Sequence, residues 1–213
     1  MSPIFEFFFG QYRGYATIDI VLEIIAVLFG FLSVWFSKEN KIWVFPTGMI
    51  STAIFVYLLL KFELLGDTMI NAYYFIMSIY GWYYWTKKVD KSHVTPISET
   101  TAQQWKFSVF IFLSTLIFVY VVYQTFEKWN GWVAYADTIT TAIFFVGMWL
   151  MAKRKIENWI FWIVGDIISV PLYFYKGLTF TSLQYLIFTV IAVYGYLAWK
   201  KHLNSLRTLQ QTF

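Results

Sequence analysis

Asp166 lies roughly half-way along an apolar run, in Asn158-Trp159-Ile160-Phe161-Trp162-Ile163-Val164-Gly165-Asp166. A carboxylate at that depth in hydrocarbon is costly, and such groups face a bundle interior or a cavity. Trp159, Trp162, Asp166, Ser169 and Tyr173 follow i, i+3, i+7, i+10, i+14 spacing, so they share one helical face. That face carries two indoles, a negative charge, a hydroxyl and a phenol. It suits a flat cationic heteroaromatic ligand, with indole stacking on the ring and the carboxylate answering its charge. The alternative is an acid that locks span six to a neighbour, with the indoles facing lipid.

Other polar residues fall inside apolar runs. Glu23, a turn or two inside the first span, could bind substrate, carry a proton or hold helices together. Asn71 and Gln184 occupy nearly equivalent places in spans three and seven, where amides serve either substrate or a neighbouring helix. Asp19, Asp67 and Asp137 sit near helix ends and are expected to cap or to meet water. Pro46 and Gly48 in span two, and Gly165 with Pro171 in span six, are expected to interrupt those helices and to mark a gate. His93 and His202 lie in a loop and a tail. No cysteine, metal-ligand cluster, nucleophile–base pair or phosphate-binding glycine loop occurs, so catalysis, a metal, a bound cofactor and ATP-driven action have no motif to support them.

The elements that position these residues are membrane helices. Hydrophobic residues form 59% of the 213 and charged residues 13%, against roughly a quarter charged in soluble domains. One soluble core of this size cannot bury that much apolar surface, so it must meet lipid. Runs long enough to cross the hydrocarbon fall at about 17–36, 42–60, 67–86, 104–123, 132–152, 158–175 and 179–199. Aromatic residues, 23% of the chain, collect at the ends of these runs. Lys38, Lys41, Lys87, Lys88, Lys91, Lys106, Lys153, Arg154, Lys155, Lys200, Lys201 and Arg207 fall on one side of this layout. Arg13, Lys61, Lys128 and Lys176 fall on the other. Twelve against four predicts an external N-terminus and a cytoplasmic C-terminus. Residues 1–16 lack a positive leader and read as an external or interfacial segment.

The chain also repeats. Tyr80-Gly81-Trp82-Tyr83-Tyr84-Trp85 returns as Tyr194-Gly195-Tyr196-Leu197-Ala198-Trp199, each followed by lysines. Asp19 aligns with Asp137, Gly30 with Gly147, Trp43 with Trp159 and Lys61 with Lys176, at offsets that drift from 118 to 114. The expected organisation is a three-helix unit at 17–86, a cytoplasmic loop and linker helix at 87–131, a second unit at 132–201 and a tail at 202–213. The unpaired fourth span makes the triplets parallel, an all-α 3+1+3 membrane protein with a substrate path between them. This is the build of a carrier. A proton-coupled symporter using Glu23 or Asp166, or a scaffold that transports nothing, are the competing readings.

At these residues the chain resembles the PnuC family of vitamin transporters. Glu-Asn-Trp-x-x-Trp (157–162), Ile-Ser (168–169), Ser-Leu-x-Tyr (182–185) and Ile-Tyr-Gly-Trp-Tyr-x-Trp (79–85) carry the likeness, with Glu23, Gly30 and Gly48. The resemblance implies a bacterial inner-membrane carrier with a fold similar to the SWEET sugar transporters, assembled as a homo-oligomer such as a trimer. It implies facilitated diffusion of a vitamin or precursor, trapped by a cytoplasmic kinase, with lipid as the surroundings and no nucleic acid partner. Nicotinamide riboside carriers of the family have Asn four residues after the second tryptophan, and Gln at the position of Asn71. Asp166 looks more like the thiamine-transporting branch. An ionised Asp only accepts hydrogen bonds, which suits aminopyrimidine and thiazolium better than a carboxamide.

Overall fold

The computed structural model describes residues 15–62, 65–87, 95–127, 129, 131–175 and 179–211. Most of the expected external segment, along with Lys88, Lys91, His93, Lys128 and Lys176, lies outside the described residues. Seven helices follow one another: α1 (Thr17–Lys38), α2 (Val44–Lys61), α3 (Leu65–Thr86), α4 (Ala102–Thr125), α5 (Gly131–Ala152), α6 (Asn158–Tyr175) and α7 (Thr179–Gln211). No strand forms among the described residues; one isolated bridge joins Ser98 to Lys155. In hydrocarbon a helix satisfies its own backbone groups, which is why apolar runs of this length fold this way.

Six of the seven helices are long and apolar enough to cross a membrane. The sequence reading had seven. α3 is the one that falls short, because Asp67, Thr68, Asn71 and its many phenols and indoles dilute its aliphatic content. Its 22 residues still extend about 33 Å at 1.5 Å per residue. α7 continues as helix to Gln211, through most of the stretch expected to be a tail.

α2 packs between α1 and α3, and α6 between α5 and α7. α1 also meets α7, and α3 meets α5, closing six helices into a ring with α4 laid outside against α5. Small residues let the first three helices approach closely. Ser33 Oγ donates to Val44 O at 2.8 Å and Ser51 Oγ to Ala26 O at 2.7 Å. A Cβ on Gly48 would stand 3.0 Å from Ser33 Oγ. These are the close contacts through which membrane helices associate without a hydrophobic driving force.

The core gathers where the two halves meet. Phe45 stands edge-on to Trp85 at 5.0 Å, and Trp159 edge-on to Trp199 at 5.6 Å. The two tryptophans then meet each other at 5.8 Å. Trp85 donates its indole N–H to Met151 O at 3.1 Å, and Trp199 to Ser37 O at 3.0 Å. α1 and α5 end alike, on left-handed Asn40 (φ 55°) and Arg154 (φ 58°). Lys41 N then reaches back to Phe36 O and Lys155 N to Leu150 O, both at 2.9 Å. Each of these features has its counterpart 114 residues on, the separation of Asn40 and Arg154 themselves. At this end of the molecule the spacing is constant, and Phe45 rather than Trp43 takes the place of Trp159.

The stretch before α4 is tied down. Ser98 N donates to Arg154 O at 3.2 Å, and Ile156 N to Ser98 O at 3.1 Å. Glu157 accepts from the Thr100 amide at 2.9 Å and hydroxyl at 2.6 Å. Thr101 and Gln104 then open α4 with a reciprocal capping box. Arg154 donates to Asn40 Oδ1 at 3.0 and 2.7 Å and to Thr95 O at 2.6 Å, and lies 4.4 Å from the Trp85 ring centre. Burial pushes the Arg154 guanidinium down to about 10, so it stays charged at neutral pH.

Two further expectations change. α2 and α6 run without a break through Gly48, Gly165 and Pro171. Pro46 occupies the first turn of α2, where a missing N–H has no intrahelical partner to lose. Asp19, expected to cap or meet water, is buried and accepts Lys61 Nζ at 2.7 and 2.8 Å, joining α1 to the end of α2. Asp137 accepts from the Tyr123 hydroxyl at 3.1 Å, joining α4 to α5.

Candidate substrate-binding site

α6 is the helix that presents the stripe, and what faces it decides the site. A Cβ on Gly165 would overlap the Phe144 ring, so glycine is what admits that ring against α6. Phe144 then stacks with Trp162 at 5.5 Å and 29°. It also stacks with Tyr185 of α7 at 6.0 Å and 10°. Tyr185 stacks in turn with Tyr173, one end of the stripe, at 5.0 Å. Tyr74 of α3 closes on Trp162 from the other half at 6.4 Å. Behind it Tyr73 stacks on Phe145 at 3.9 Å and donates to Phe145 O at 2.9 Å, which pins α3 to α5.

Asp166 stands among these rings. It is 3% exposed and makes no hydrogen bond or ion pair among the described residues. It lies one turn beyond Trp162 on the same face of α6. One turn on, Ser169 is fully buried with its hydroxyl unpartnered, and the indole N–H of Trp159 is likewise buried and unpartnered. Buried polar groups are normally satisfied, so three on one helix face demand an explanation. An acid that merely locked two helices together would have a partner.

The structure thus brings Trp162, Asp166, Ser169 and Tyr173 to one aromatic cluster. Trp159 stands apart from it. Its ring fits the groove at Gly195, where a Cβ would lie 2.6 Å from it, and abuts Trp199. Its role is packing between the halves, with only the N–H left over. Asn71 is half-buried and gives its amide N–H to Asp67 O on its own helix at 3.0 Å. Gln184, beside Tyr185, and Glu23 on α1 are half-buried. Gly48 and Gly165 act as close-approach points rather than breaks. Sequence reasoning missed Tyr74, Phe144 and Tyr185. Tyr185 ends the Ser-Leu-x-Tyr motif, so a signal for it existed; Phe144 and Tyr74 sat unmarked in aromatic-rich runs.

The halves differ at this site. At the constant spacing, Trp162, Phe144 and Asp166 correspond to Gly48, Gly30 and Thr52. The contact that Phe144 makes with Gly165 becomes one between Gly30 and Ser51, with a Cβ at 3.2 Å from the hydroxyl. One half supplies rings and charge, the other small residues. Such an arrangement can hold a flat aromatic cation against one wall. Among the described residues no group of three or more histidine, cysteine or carboxylate side chains could hold a metal ion.

The model of a family described as nicotinamide mononucleotide transporter matches residues 20–201. The nicotinamide riboside transporter PnuC of Escherichia coli K12 is 23% identical over 210 residues, covering 87% of this chain and 86% of the relative. That of Neisseria mucosa is 26% identical over 195 residues, covering 86% and 73%. The riboflavin/roseoflavin transporter RibM of Streptomyces davaonensis is 21% identical over 181 residues, covering 83% of each. A crystal structure of the vitamin B3 transporter PnuC superposes with a TM-score of 0.63 at 25% identity, over 93% of this chain and 89% of the other. With the family model spanning most of its length, the chain belongs to the PnuC (nicotinamide mononucleotide transporter) family: a multi-pass membrane vitamin transporter, not an enzyme.

Proposed function

We propose that the protein carries a vitamin with a positively charged aromatic ring across the membrane by facilitated diffusion, and that the vitamin is thiamine. The single observation behind this reading is Asp166, a buried carboxylate without a protein partner beside Trp162 and Tyr185. A cationic ring supplies the charge it lacks and a face for the indole. Nicotinamide riboside, also cationic, is the second reading; the Escherichia coli and Neisseria relatives favour it by name. Riboflavin has no such charge and leaves Asp166 unanswered. Uptake of labelled thiamine and labelled nicotinamide riboside into proteoliposomes containing only this protein separates the readings. Thiamine entry that excess nicotinamide riboside does not block supports the first; the reverse assigns the second.

The mechanical reading is a seven-span 3+1+3 carrier of SWEET-like build, with α3 crossing as well and two parallel triplets around a common axis. Contacts repeated at a fixed spacing support it, as does the swap by which α1 meets α7 while α3 meets α5. The twelve-to-four division of basic residues supports an external N-terminus and a cytoplasmic C-terminus. The native chain has no cysteine, so Lys41→Cys and Tyr57→Cys give single labels at opposite ends of α2. A membrane-impermeant maleimide added to intact cells should modify the second and spare the first; the opposite pattern inverts the topology. A homo-oligomer such as a trimer, a gate near Gly48 and Gly165, and a kinase that traps the product complete the proposal.

A further inference from the structure

We propose that a cleft between the start of α4 and the end of α5 is a binding site for the headgroup of an anionic phospholipid. The cleft measures about 430 Å³ and lies apart from the aromatic cluster. Its rim holds Gln103, Gln104 and Lys106 from the first turns of α4, and Lys153 just past the end of α5. Its wall is Phe107 and Phe110, which are 47% and 62% exposed, with Trp149 behind them.

The order of these groups along the helices is what selects the occupant. Gln103 and Gln104 lie in the first turn of α4 and Lys153 just past α5, level with the headgroup layer. Phe107 follows Lys106 directly, Phe110 lies a turn further in, and Trp149 lies a turn inside Lys153, toward the acyl chains. Polar above and apolar below is the profile of one lipid molecule lying along the wall. The sign of the charge selects its class. No carboxylate lines the cleft, and neither Lys106 nor Lys153 forms an ion pair among the described residues. The Lys153 ammonium rests over the Tyr84 and Tyr80 rings, at 4.4 and 4.9 Å from their centres, so its partners are ring faces of α3 rather than a carboxylate. Glu157, the nearest acid in sequence, is occupied by Thr100. The first turn of α4 adds the positive end of the helix dipole, with the Gln104 N–H itself taken by the Thr101 cap. A second copy of the chain docked face to face would bring four lysines together, which disfavours it as occupant.

Basic side chains near an anionic membrane surface attract it by about 1 kcal/mol each, so two lysines correspond to a preference of roughly thirtyfold. Native mass spectrometry of the detergent-purified protein reads this directly. Phosphatidylglycerol and phosphatidylcholine of identical acyl chains are added at equal concentration. The wild type should retain phosphatidylglycerol by roughly that factor. Lys106→Gln with Lys153→Gln should bring the two lipids near parity, and Lys106→Gln alone, an exposed change safe for folding, should lower the preference roughly fivefold. Lys41→Gln, elsewhere on the same side, should leave it unaltered. Parity in the wild type overturns the proposal, as does a preference that survives Lys106→Gln or falls equally with Lys41→Gln. Displacement of the lipid by millimolar inorganic phosphate would reassign the cleft to a free anion and overturn it as well.

Discussion

A carboxylate 3% exposed and unpartnered in a wall of rings is costly by itself, and the proposed role for it is to meet a cationic substrate. Asp166→Asn keeps the shape and removes the charge. A desolvated contact to a charged group contributes roughly 1.5–3 kcal/mol, or about tenfold to hundredfold in affinity. Thiamine binding to the purified variant, followed by calorimetric titration, should weaken by that amount, with some gain for nicotinamide riboside. Trp162→Phe should cost less and Trp162→Ala more, since Phe144 stacks against whatever face remains. An Asp166→Asn protein that is folded, binds thiamine with unchanged affinity and melts at a different temperature returns Asp166 to a packing role. The spacing on α6 was enough to place Trp162, Asp166, Ser169 and Tyr173 together, because helical periodicity fixes which residues share a face. It could not place Tyr74, Phe144 and Tyr185, which reach the site from three other helices. Nor could it tell the stacking indole from the packing one, since Trp159 and Trp162 lie on the same stripe and differ in their neighbours, α7 for Trp159 and α3 and α5 for Trp162.

At the scale of elements, the glycines of the two Tyr-Gly motifs are the grooves into which the second helix of each half fits. Gly81 admits Phe45 and Gly195 admits Trp159, and both rings are almost wholly buried, at 0% and 2% exposure. An added methyl therefore has nowhere to push them. Overpacking of this kind costs about 1–3 kcal/mol, against a gain of about 1 kcal/mol in helix propensity for alanine. Gly81→Ala and Gly195→Ala should each lower the thermal transition in detergent, and Gly195→Ala more, because an indole turns less freely than a phenyl ring. A rise for Gly195→Ala would mean that Trp159 swings out of its groove. The recurrence of the motif and its spacing were legible in the sequence, but the register of the second helices was not. Conspicuous residue types drew Trp43 to Trp159, whereas the fold matches by position and sets Phe45 there. The supposed breaks at Pro46 and Gly165 misled for a related reason. Proline in a first turn and glycine at a close approach leave the helix intact, and sequence alone does not tell these uses from a kink.

On the scale of the whole molecule, the two halves are locked together at one end by the Trp85–Trp199 contact and by Arg154 bridging to Asn40 and Thr95. Around the aromatic cluster they meet mainly through Tyr73 and Tyr74 against Phe145 and Trp162. Two halves joined in this way can rock about a site between them, and in the proposed cycle a bound cation would balance the charge of Asp166 during the passage. In the proposed uniporter cycle the charge is answered by the substrate itself, so no step of it needs an energy source. We therefore expect labelled thiamine in proteoliposomes to rise to the external concentration and stop there, at the same plateau with or without an imposed proton gradient. Enclosing thiamine pyrophosphokinase and ATP in the vesicles should raise total label well above that plateau while free thiamine stays level. The symporter reading predicts otherwise: Asp166 or Glu23 would bind a proton and substrate together, and an inward proton gradient would lift free thiamine above the outside level. A plateau that follows the gradient, and that collapses to equilibrium when Glu23→Gln is introduced, would replace the uniporter with a proton-coupled carrier and make Glu23 rather than Asp166 its proton site.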